Sequence, residues 1–595
     1  MTARVPLRPL ARILEARARG ENPDAIERAN LARRHDAARD GLRLRAESRL
    51  LMLAMCFLAA FLTIGLRMAA LATSEAEEPV VATTRSAIQS ARADIVDRNG
   101  RVLASNLTTH ALYAHPQDLI DPALAAEALV EIFPDLDPTG LYEDFTSDRR
   151  FIWIRRNLSP EQEQAVHDLG EPGLLFGPRE MRLYPNGALA AHVMGGAQFG
   201  EEDVNAAEII GVGGVEAQFD DALRDPARDG APLRLSLDLT IQAAVEEVLA
   251  GGMELMNAEG AAAVLLEVAT GEIRALASLP DFDPNARPIV PDDVLPEDSP
   301  LFNRAVQGVY ELGSVFKVLT TAQALDLNLV APSTMIDTTG PLRLGGFPIR
   351  DFRDYGPSQS VREVLVNSSN IGTARIAGMI GAERQRAFLT ALGMAEPVPV
   401  EMIEARGSTP LLPGQWGDLS TATVAYGHGI AVTPVHLAAA YAAIVNGGTQ
   451  VTPTLLAGAA PQTGARVVSE DTSAIMRDLM RAVVRDGTAT LGDVAGYDVG
   501  GKTGTADLPL PDRSGYYDDR TRTTFAATFP ADDPEYVLVV TLEQPWIVAL
   551  GETRRTAGWT AVPVGAELIR RVAPLMGMRP EIEAATHPTL SSSSQ

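Results

Sequence analysis

The sequence predicts an α+β multidomain protein carried on a single N-terminal transmembrane helix, and three observations predict it. Residues 50–72, LLMLAMCFLAAFLTIGLRMAALA, are almost wholly apolar, long enough for one bilayer crossing. The chain has 595 residues, 46% of them hydrophobic, more than one core ordinarily serves. At Leu233 a loop-rich, glycine-punctuated pattern gives way to a regular succession of helical and strand periods.

The first segment, 1–49, is a short polar tail with twelve Arg against seven Asp and Glu. Residues 73–595 carry 38 basic and 70 acidic side chains. This asymmetry keeps the tail in the cytoplasm and puts the TSEAEEP side outside, with Arg67 snorkelling to the interface. A cleaved signal peptide is the competing reading, because Ala70-Leu71-Ala72 looks like a small-residue cleavage site. A 49-residue leader is long for one, and a run apolar on every face does not suit a buried soluble helix. The only cysteine, Cys56, lies within the span, so no disulfide forms within the chain and no cysteine metal site is available. The net charge of −26 excludes the basic face of a nucleic-acid binder.

Residues 73–232 read as a mixed α/β domain. The run Ile95 to Leu103 gives two short strands around an Asn-Gly turn, 151–154 a further strand, and 159–169 a helix with Ser159 as cap and Pro160 in its first turn. Gly195, Gly211, Gly213 and Gly214 punctuate the rest. No catalytic constellation stands out, so the expectation is a structural or partner-binding domain.

Residues 233–578 read as a second folded unit. Helices are expected over 238–256, from Ser314, and over 361–366, 371–378, 434–445, 471–484 and 561–572. A hairpin is expected over 261–268 and 272–279, and strands over 523–530 and 536–544. The segment 280–300 is an exposed Pro- and Asp-rich loop. The tail 579–595, ending in four serines, is expected to be disordered.

Only two of the 51 basic residues are lysines, Lys317 and Lys502. Arginine supplies every other cation, but it does not release its proton at ordinary pH. Bringing a lysine to a pKa near 7 costs about 4–5 kcal/mol, and the same shift in an arginine roughly 8 or more. Keeping lysine at two places therefore points to a compact ammonium or a neutral amine, and so to proton transfer. Ser314 and Lys317 are spaced to share one face of a helix at its start, where an amine can take the serine proton and free N–H groups stabilise an anion. Asn367-Ser368-Ser369-Asn370 offers a hydroxyl and an amide two residues apart. Lys502-Thr503-Gly504-Thr505 lies in a strand context, where glycine admits a substrate backbone. Each has an ordinary reading alone: a chance spacing, a capped turn between helices, a glycine turn.

The three in this order match the Ser-x-x-Lys, Ser-x-Asn and Lys-Thr-Gly signature of β-lactamases and penicillin-binding proteins. Asp97-Arg98-Asn99-Gly100, Gly214-Val215-Glu216, Asn303-Arg304-Ala305, Tyr310-Glu311-Leu312-Gly313-Ser314, Ser368-Ser369-Asn370-Ile371-Gly372 and Tyr426-Gly427-His428-Gly429 extend the likeness over nearly the whole chain. The chain resembles a class B penicillin-binding protein of the division type, an FtsI-like peptidoglycan D,D-transpeptidase. It departs from that family at His428, where Gln is usual, and at Ala93, where Arg-Gly is common; His428 is expected to pack or hydrogen-bond, not to catalyse.

The resemblance implies a periplasmic pedestal (dimerisation-type) domain at 73–232 and a penicillin-binding, serine β-lactamase-like transpeptidase domain at 233–578, anchored in the bacterial inner membrane. It implies that Ser314 attacks the stem-peptide carbonyl with Lys317 as base. Ser368 relays a proton, and Asn370 orients Lys317 and the substrate amide. Lys502 and Thr503 hold the terminal carboxylate beside Gly504, and the N–H groups of Ser314 and Thr505 form the oxyanion hole. It implies peptidoglycan stem peptides as substrates, β-lactams as covalent inhibitors, and a SEDS-type, FtsW-like glycosyltransferase with other division proteins as partners. No cofactor and no metal are expected, since the eight histidines form no zinc-type pair. Three functions compete: an elongation-type relative, a β-lactamase or D,D-carboxypeptidase of the same fold, and a non-catalytic scaffold. A triad hydrolase is set aside, because there is no Gly-x-Ser-x-Gly elbow.

Overall fold

The sheet that organises the C-terminal half is buried except where its longest hairpin runs out past the core. A computed structural model describes residues 8–26, 28–29, 32, 52–65, 92–203, 206–291, 293–461, 464–510 and 515–581. Its five-stranded antiparallel sheet runs, in order, Gly500–Pro509, Tyr516–Phe529, Tyr536–Glu543, Gly260–Glu267 and Ile273–Leu279. Lys502 lies opposite Ala526, and Val540 opposite Ala263. Gly260–Leu266, Ile273–Leu279 and Tyr536–Leu542 are buried at every position, as is Thr523–Phe529 of the neighbouring strand. Strand side chains alternate between faces, so both faces are covered.

Two helix groups cover them. Leu239–Leu255 and Ala561–Leu575 pack on each other and on the sheet. They meet closely because Gly252 has no Cβ, which would stand 2.7 Å from Val564. Pro434–Val445 and Glu470–Asp486 pack together on the same sheet. Pro434–Val445 is buried along its whole length and opens with a Thr433–His436 capping box and a proline in its first turn. Beside these helices stands Phe316–Asp326, buried from Phe316 to Leu325 and packed by Val361–Val366, Asn370–Ile380, Ala382–Ala391 and Asp418–Ala425. A helix buried on all sides can carry a polar side chain only where that side chain finds partners, which bears directly on Lys317.

Most predicted elements of this half occur within two or three residues of their expected limits. The helix expected from Ser314 is preceded by a 3-10 turn, Gly313–Val315, because Gly313 adopts φ +66°. The strand expected at 523 begins at Tyr516, since its partner Gly500–Pro509 pairs with it along that length.

The chain divides by its contacts into two units. One comprises residues 1–82, 113–153 and 169–175; it contains the unpredicted helices Pro122–Ile132 and Pro138–Phe145. Each follows an Asp whose carboxylate caps the helix, with a proline next in sequence, a start signal that was present in the sequence. Phe151 packs between Tyr113 and Trp153 in this unit, at ring separations of 5.0 and 4.9 Å.

The other unit holds the remaining residues, and its packing runs continuously through position 232: Ile95–Val96 pairs antiparallel with Val102–Ala114 and parallel with Leu233–Arg234. Two of the recognisable stretches do structural work here. Asp97 is buried and accepts the N–H groups of Asn99, Arg101 and Leu239. Glu216, fully buried, takes Arg92 at 2.6 Å and Arg182 at 2.7 Å and the Tyr184 hydroxyl at 3.2 Å.

Residues 52–65 are helical and exposed; among the described residues no helix is long and apolar enough to cross a membrane. The rest of 50–72, most of 1–49 and nearly all of 579–595 lie outside the described residues.

Removing Glu216 takes from the buried Arg182 guanidinium the carboxylate it pairs with and leaves Arg92 with Asp220 alone. Glu216→Ala is expected to lower stability by about 3–5 kcal/mol, read by chemical or thermal unfolding of the full chain.

Candidate active site

Ser314 sits in the 3-10 turn, half-buried, between two backbones that press on it. A Cβ at Gly427 would stand 2.0 Å from the Gly313 carbonyl oxygen, and one at Gly504 2.1 Å from that of Leu312. Only glycine lets the Tyr426–Gly429 loop and the Lys502 strand close on the turn from their two sides. A Cβ at Gly313 would in turn stand 2.8 Å from the Thr505 carbonyl, so the Ser314 and Thr505 backbones run side by side. From below, the buried Tyr441 hydroxyl donates to the Val315 carbonyl at 2.8 Å.

Lys317 and Lys502 are both fully buried. Lys317 Nζ meets the Ser368 carbonyl at 2.5 Å, the Ser368 hydroxyl at 3.1 Å and Asn370 Oδ1 at 2.7 Å. Lys502 Nζ meets the same Ser368 hydroxyl at 3.0 Å and the Thr503 carbonyl at 3.1 Å. One serine oxygen is thus wedged between two amines. Ser368 reaches this position in the left-handed region, φ +61°, at a cost of about 1–2 kcal/mol for a residue with a Cβ; the Lys317 bond to its carbonyl helps hold it there.

The electrostatics follow from burial. Desolvation drives Lys317 well below the ordinary lysine range, and the neighbouring Lys502 drives it in the same direction. Desolvation brings Lys502 down to about 7. Two ammoniums flanking one hydroxyl repel, so the favoured state has one neutral amine. A neutral Lys317 donates two N–H groups to the Ser368 carbonyl and Asn370 Oδ1, and its lone pair accepts the Ser368 O–H. The Ser368 oxygen then accepts from a charged Lys502, and every partner is satisfied.

Asp351 was not singled out by the sequence. It accepts the Ser369 hydroxyl at 2.7 Å, the Asn370 N–H at 2.6 Å and the Ile371 N–H at 3.0 Å, and so fixes the start of helix Asn370–Ile380 and the direction of Asn370. Its position in a loop following the hairpin Leu342–Leu344 and Phe347–Ile349 has no periodicity that would mark it. The Asn370 amide also donates to the Arg350 carbonyl at 3.0 Å.

The structure therefore joins Lys317, Ser368, Asn370 and Lys502 in one hydrogen-bonded group, with Ser314 one turn before Lys317. Thr503 and Thr505 lie on the adjoining strand. The Thr503 hydroxyl bonds Thr488 at 2.7 Å, and the Thr505 hydroxyl accepts the Ala557 N–H at 3.0 Å. Among the described residues no group of three or more His, Cys, Asp and Glu side chains could hold a metal ion.

Two family models match the chain: the penicillin-binding protein transpeptidase domain over residues 261–568 and the penicillin-binding protein dimerisation domain over 87–227. The chain is 36% identical to "Probable peptidoglycan D,D-transpeptidase FtsI" of Caulobacter vibrioides, over 84% of each protein. It is 32% identical to "Probable peptidoglycan D,D-transpeptidase PenA" of Neisseria gonorrhoeae, over 77% of this chain and 81% of that one. In structure it is similar to penicillin-binding protein 3 of Mycobacterium tuberculosis complexed with aztreonam, with a TM-score of 0.63 and 25% identity over 83% of this chain and 98% of the other.

Two outcomes follow from the geometry. Asp351→Ala removes three acceptor contacts from the Ser369–Asn370 turn and is expected to lower stability by about 1–3 kcal/mol, read by thermal unfolding. The lysines predict a pH dependence. Lys502 is neutral in the folded chain above about 7, while an unfolded lysine stays charged to about 10.4. The unfolded state then binds more protons across that window, so stability rises with pH from about 7 towards 10. The full Lys502 contribution is about 4–5 kcal/mol; Lys317, also driven down, adds a slope of the same sign, so Lys502→Met is expected to reduce the rise but not abolish it in unfolding experiments run between pH 7 and 9.5.

Proposed function

The chain belongs to the penicillin-binding protein transpeptidase family and is a peptidoglycan D,D-transpeptidase, and from that premise we propose how its residues divide the reaction. Ser314 Oγ attacks the carbonyl of the penultimate D-Ala of a stem peptide as neutral Lys317 takes its proton. The tetrahedral oxyanion is held by the N–H groups of Ser314 and Thr505. Its collapse breaks the peptide bond; the departing D-Ala nitrogen takes a proton through the Ser368 hydroxyl and leaves the acyl group on Ser314. The amine of a second stem then attacks this ester. It gives its proton to Lys317, which returns one to Ser314 Oγ as the crosslink forms. Asn370 orients Lys317 and the substrate amide. Lys502 and Thr503 hold the terminal carboxylate, with Gly504 leaving room for the backbone beside them.

The observation that carries this assignment is the Ser368 hydroxyl set between two buried amines, 3.1 Å from Lys317 and 3.0 Å from Lys502. It offers a proton path from the nucleophile's base to the carboxylate-binding end of the cleft. The close approach of Thr505 to Gly313 supports the paired oxyanion donors.

The division role is supported by the likeness to the FtsI protein. The same reading assigns 73–232 to the pedestal, 233–578 to the transpeptidase domain, and a SEDS-type glycosyltransferase with division proteins as partners. Residues 50–72 act as a single inner-membrane anchor with the catalytic domain in the periplasm. The exposed apolar surface of residues 52–65 supports that anchor, since such a surface is covered by lipid or by another protein. β-Lactams, as in the aztreonam complex of the mycobacterial protein, acylate Ser314. Localisation of a fluorescent fusion in dividing cells tests the role: a midcell band supports it, and an even distribution along the wall replaces it with elongation.

Intact mass spectrometry of the full chain in detergent with penicillin tests the chemistry. A stable one-to-one adduct on Ser314, absent in Ser314→Ala, is expected; antibiotic destroyed without an adduct would make the protein a lactamase. The acylation rate constant should rise with pH as Lys317 becomes neutral. It should fall again above about 7 as Lys502 loses the charge that holds the carboxylate, a limb expected to vanish in Lys502→Arg.

A further inference from the structure

The stretch Tyr310-Glu311-Leu312-Gly313 leads into Ser314, and Glu311 has no part in the reaction described above. Its carboxylate is nonetheless the point where three segments meet. Oε1 accepts the Gly429 N–H at 2.9 Å and the Tyr516 hydroxyl at 3.1 Å. Oε2 lies 3.3 Å from His428 Nδ1. The His428 and Tyr516 rings rest against each other, with centroids 4.7 Å apart. Glu311 is 17% exposed and His428 44%, so the cluster lies at the surface end of the cleft.

These partners belong to the two backbones that press on the nucleophile. Gly429 and His428 end the loop whose Gly427 abuts the Gly313 carbonyl and accepts the Gly313 N–H. Tyr516 opens the strand paired with the Lys502 strand, opposite Pro509. The segment carrying Glu311 is itself anchored: Tyr310 exchanges both backbone hydrogen bonds with Val432 at 2.9 Å, and its ring lies 3.6 Å from the Arg522 guanidinium carbon. Burial and the Glu311 charge raise the Tyr516 phenol, so it stays a donor.

We propose that Glu311 is a positioning residue: with His428 and Tyr516 it forms a latch that holds both walls of the cleft against the Ser314 turn and sets that turn for acylation. His428 is the secondary member. Gln at position 428 could also donate to Glu311. Glu311 is the member whose removal frees both walls at once. The proposal rests on Ser314 being the acylated residue.

The test compares wild type, Glu311→Gln, Glu311→Ala, His428→Gln and Glu311→Ala/His428→Gln as full chains in detergent. Penicillin acylation is resolved into a binding constant and a first-order acylation rate, and hydrogen exchange is followed over 312–316 and 426–430. Glu311→Ala is expected to slow the first-order step about tenfold or more with binding changed little, and to speed exchange in both segments. Glu311→Gln, which keeps the acceptor oxygen, should recover most of the rate. His428→Gln should stay within a few-fold of wild type and add nothing to Glu311→Ala. Wild-type acylation and exchange in Glu311→Ala would overturn the latch, as would a loss that Gln does not rescue. If no variant, wild type included, is acylated on Ser314, the reading of that serine fails. The exchange data then decide the latch alone: loosening of both segments in Glu311→Ala supports it, and loosening of neither overturns it.

Discussion

The site depends on one serine oxygen that two lysines share. Ser368 Oγ lies 3.1 Å from Lys317 and 3.0 Å from Lys502, and both amines are fully buried. An ammonium there is far more costly than in water, and two are costlier still. The arrangement is stable when the group carries one charge fewer than its lysines suggest, and that missing proton is the capacity to accept one, which the proposed mechanism uses on Ser314. Most features around it serve to keep this geometry: the strained Ser368 backbone, the Asp351 carboxylate under the next turn, and the Asn370 amide.

The second constraint is steric. Ser314 stands one turn before Lys317, in a turn squeezed between a loop and a strand, and the squeeze requires glycine at 313, 427 and 504. A Cβ at either of the last two would stand within about 2 Å of a carbonyl oxygen, closer than a flexible side chain could relieve. The buried sheet behind the Lys502 strand and the buried helix Phe316–Asp326 fix the two sides of this contact. The rigidity of the cleft is therefore a property of the core, while its outer end is held only by surface contacts such as those of Glu311.

Much of this was legible in the sequence. The lysine count alone separated positions 317 and 502 from every arginine, because proton release distinguishes the two side chains. The spacings around Ser314 and Ser368 and the glycine after Thr503 completed the group. Helices with a cap and a clear stop, such as Val361–Val366 and Pro434–Val445, were found at their limits. Asp351 and Glu311 were not assigned roles, because each acts through a loop neighbour distant in sequence, and no period or spacing encodes such a contact. Ala382–Ala391 and Asp418–Ala425 were missed for a related reason. They pack sideways among other helices, where tertiary contact outweighs a weak pattern.

The charge of the whole chain bears on what the site binds. A net charge of −26 favours protonated lysines, and yet both are shifted down. The two effects act over different distances. Exposed acidic side chains are screened by water and salt beyond about 10 Å, whereas desolvation acts on the amine itself and dominates. The hydrogen-bond partners of both lysines are neutral oxygens of Ser368, Asn370 and Thr503. Asp351, the carboxylate that acts on Lys317, is committed to the Ser369–Asn370 turn. The site thus holds a lysine with a proton to gain and no anion among the hydrogen-bond partners of either amine. On the proposed reading, a substrate carboxylate at Lys502 would supply that anion, raise the affinity of Lys502 for its proton, and by repulsion keep Lys317 neutral. In that proposal, recognition of the substrate's acidic end and preparation of the base would be one electrostatic event, transmitted across the single oxygen of Ser368.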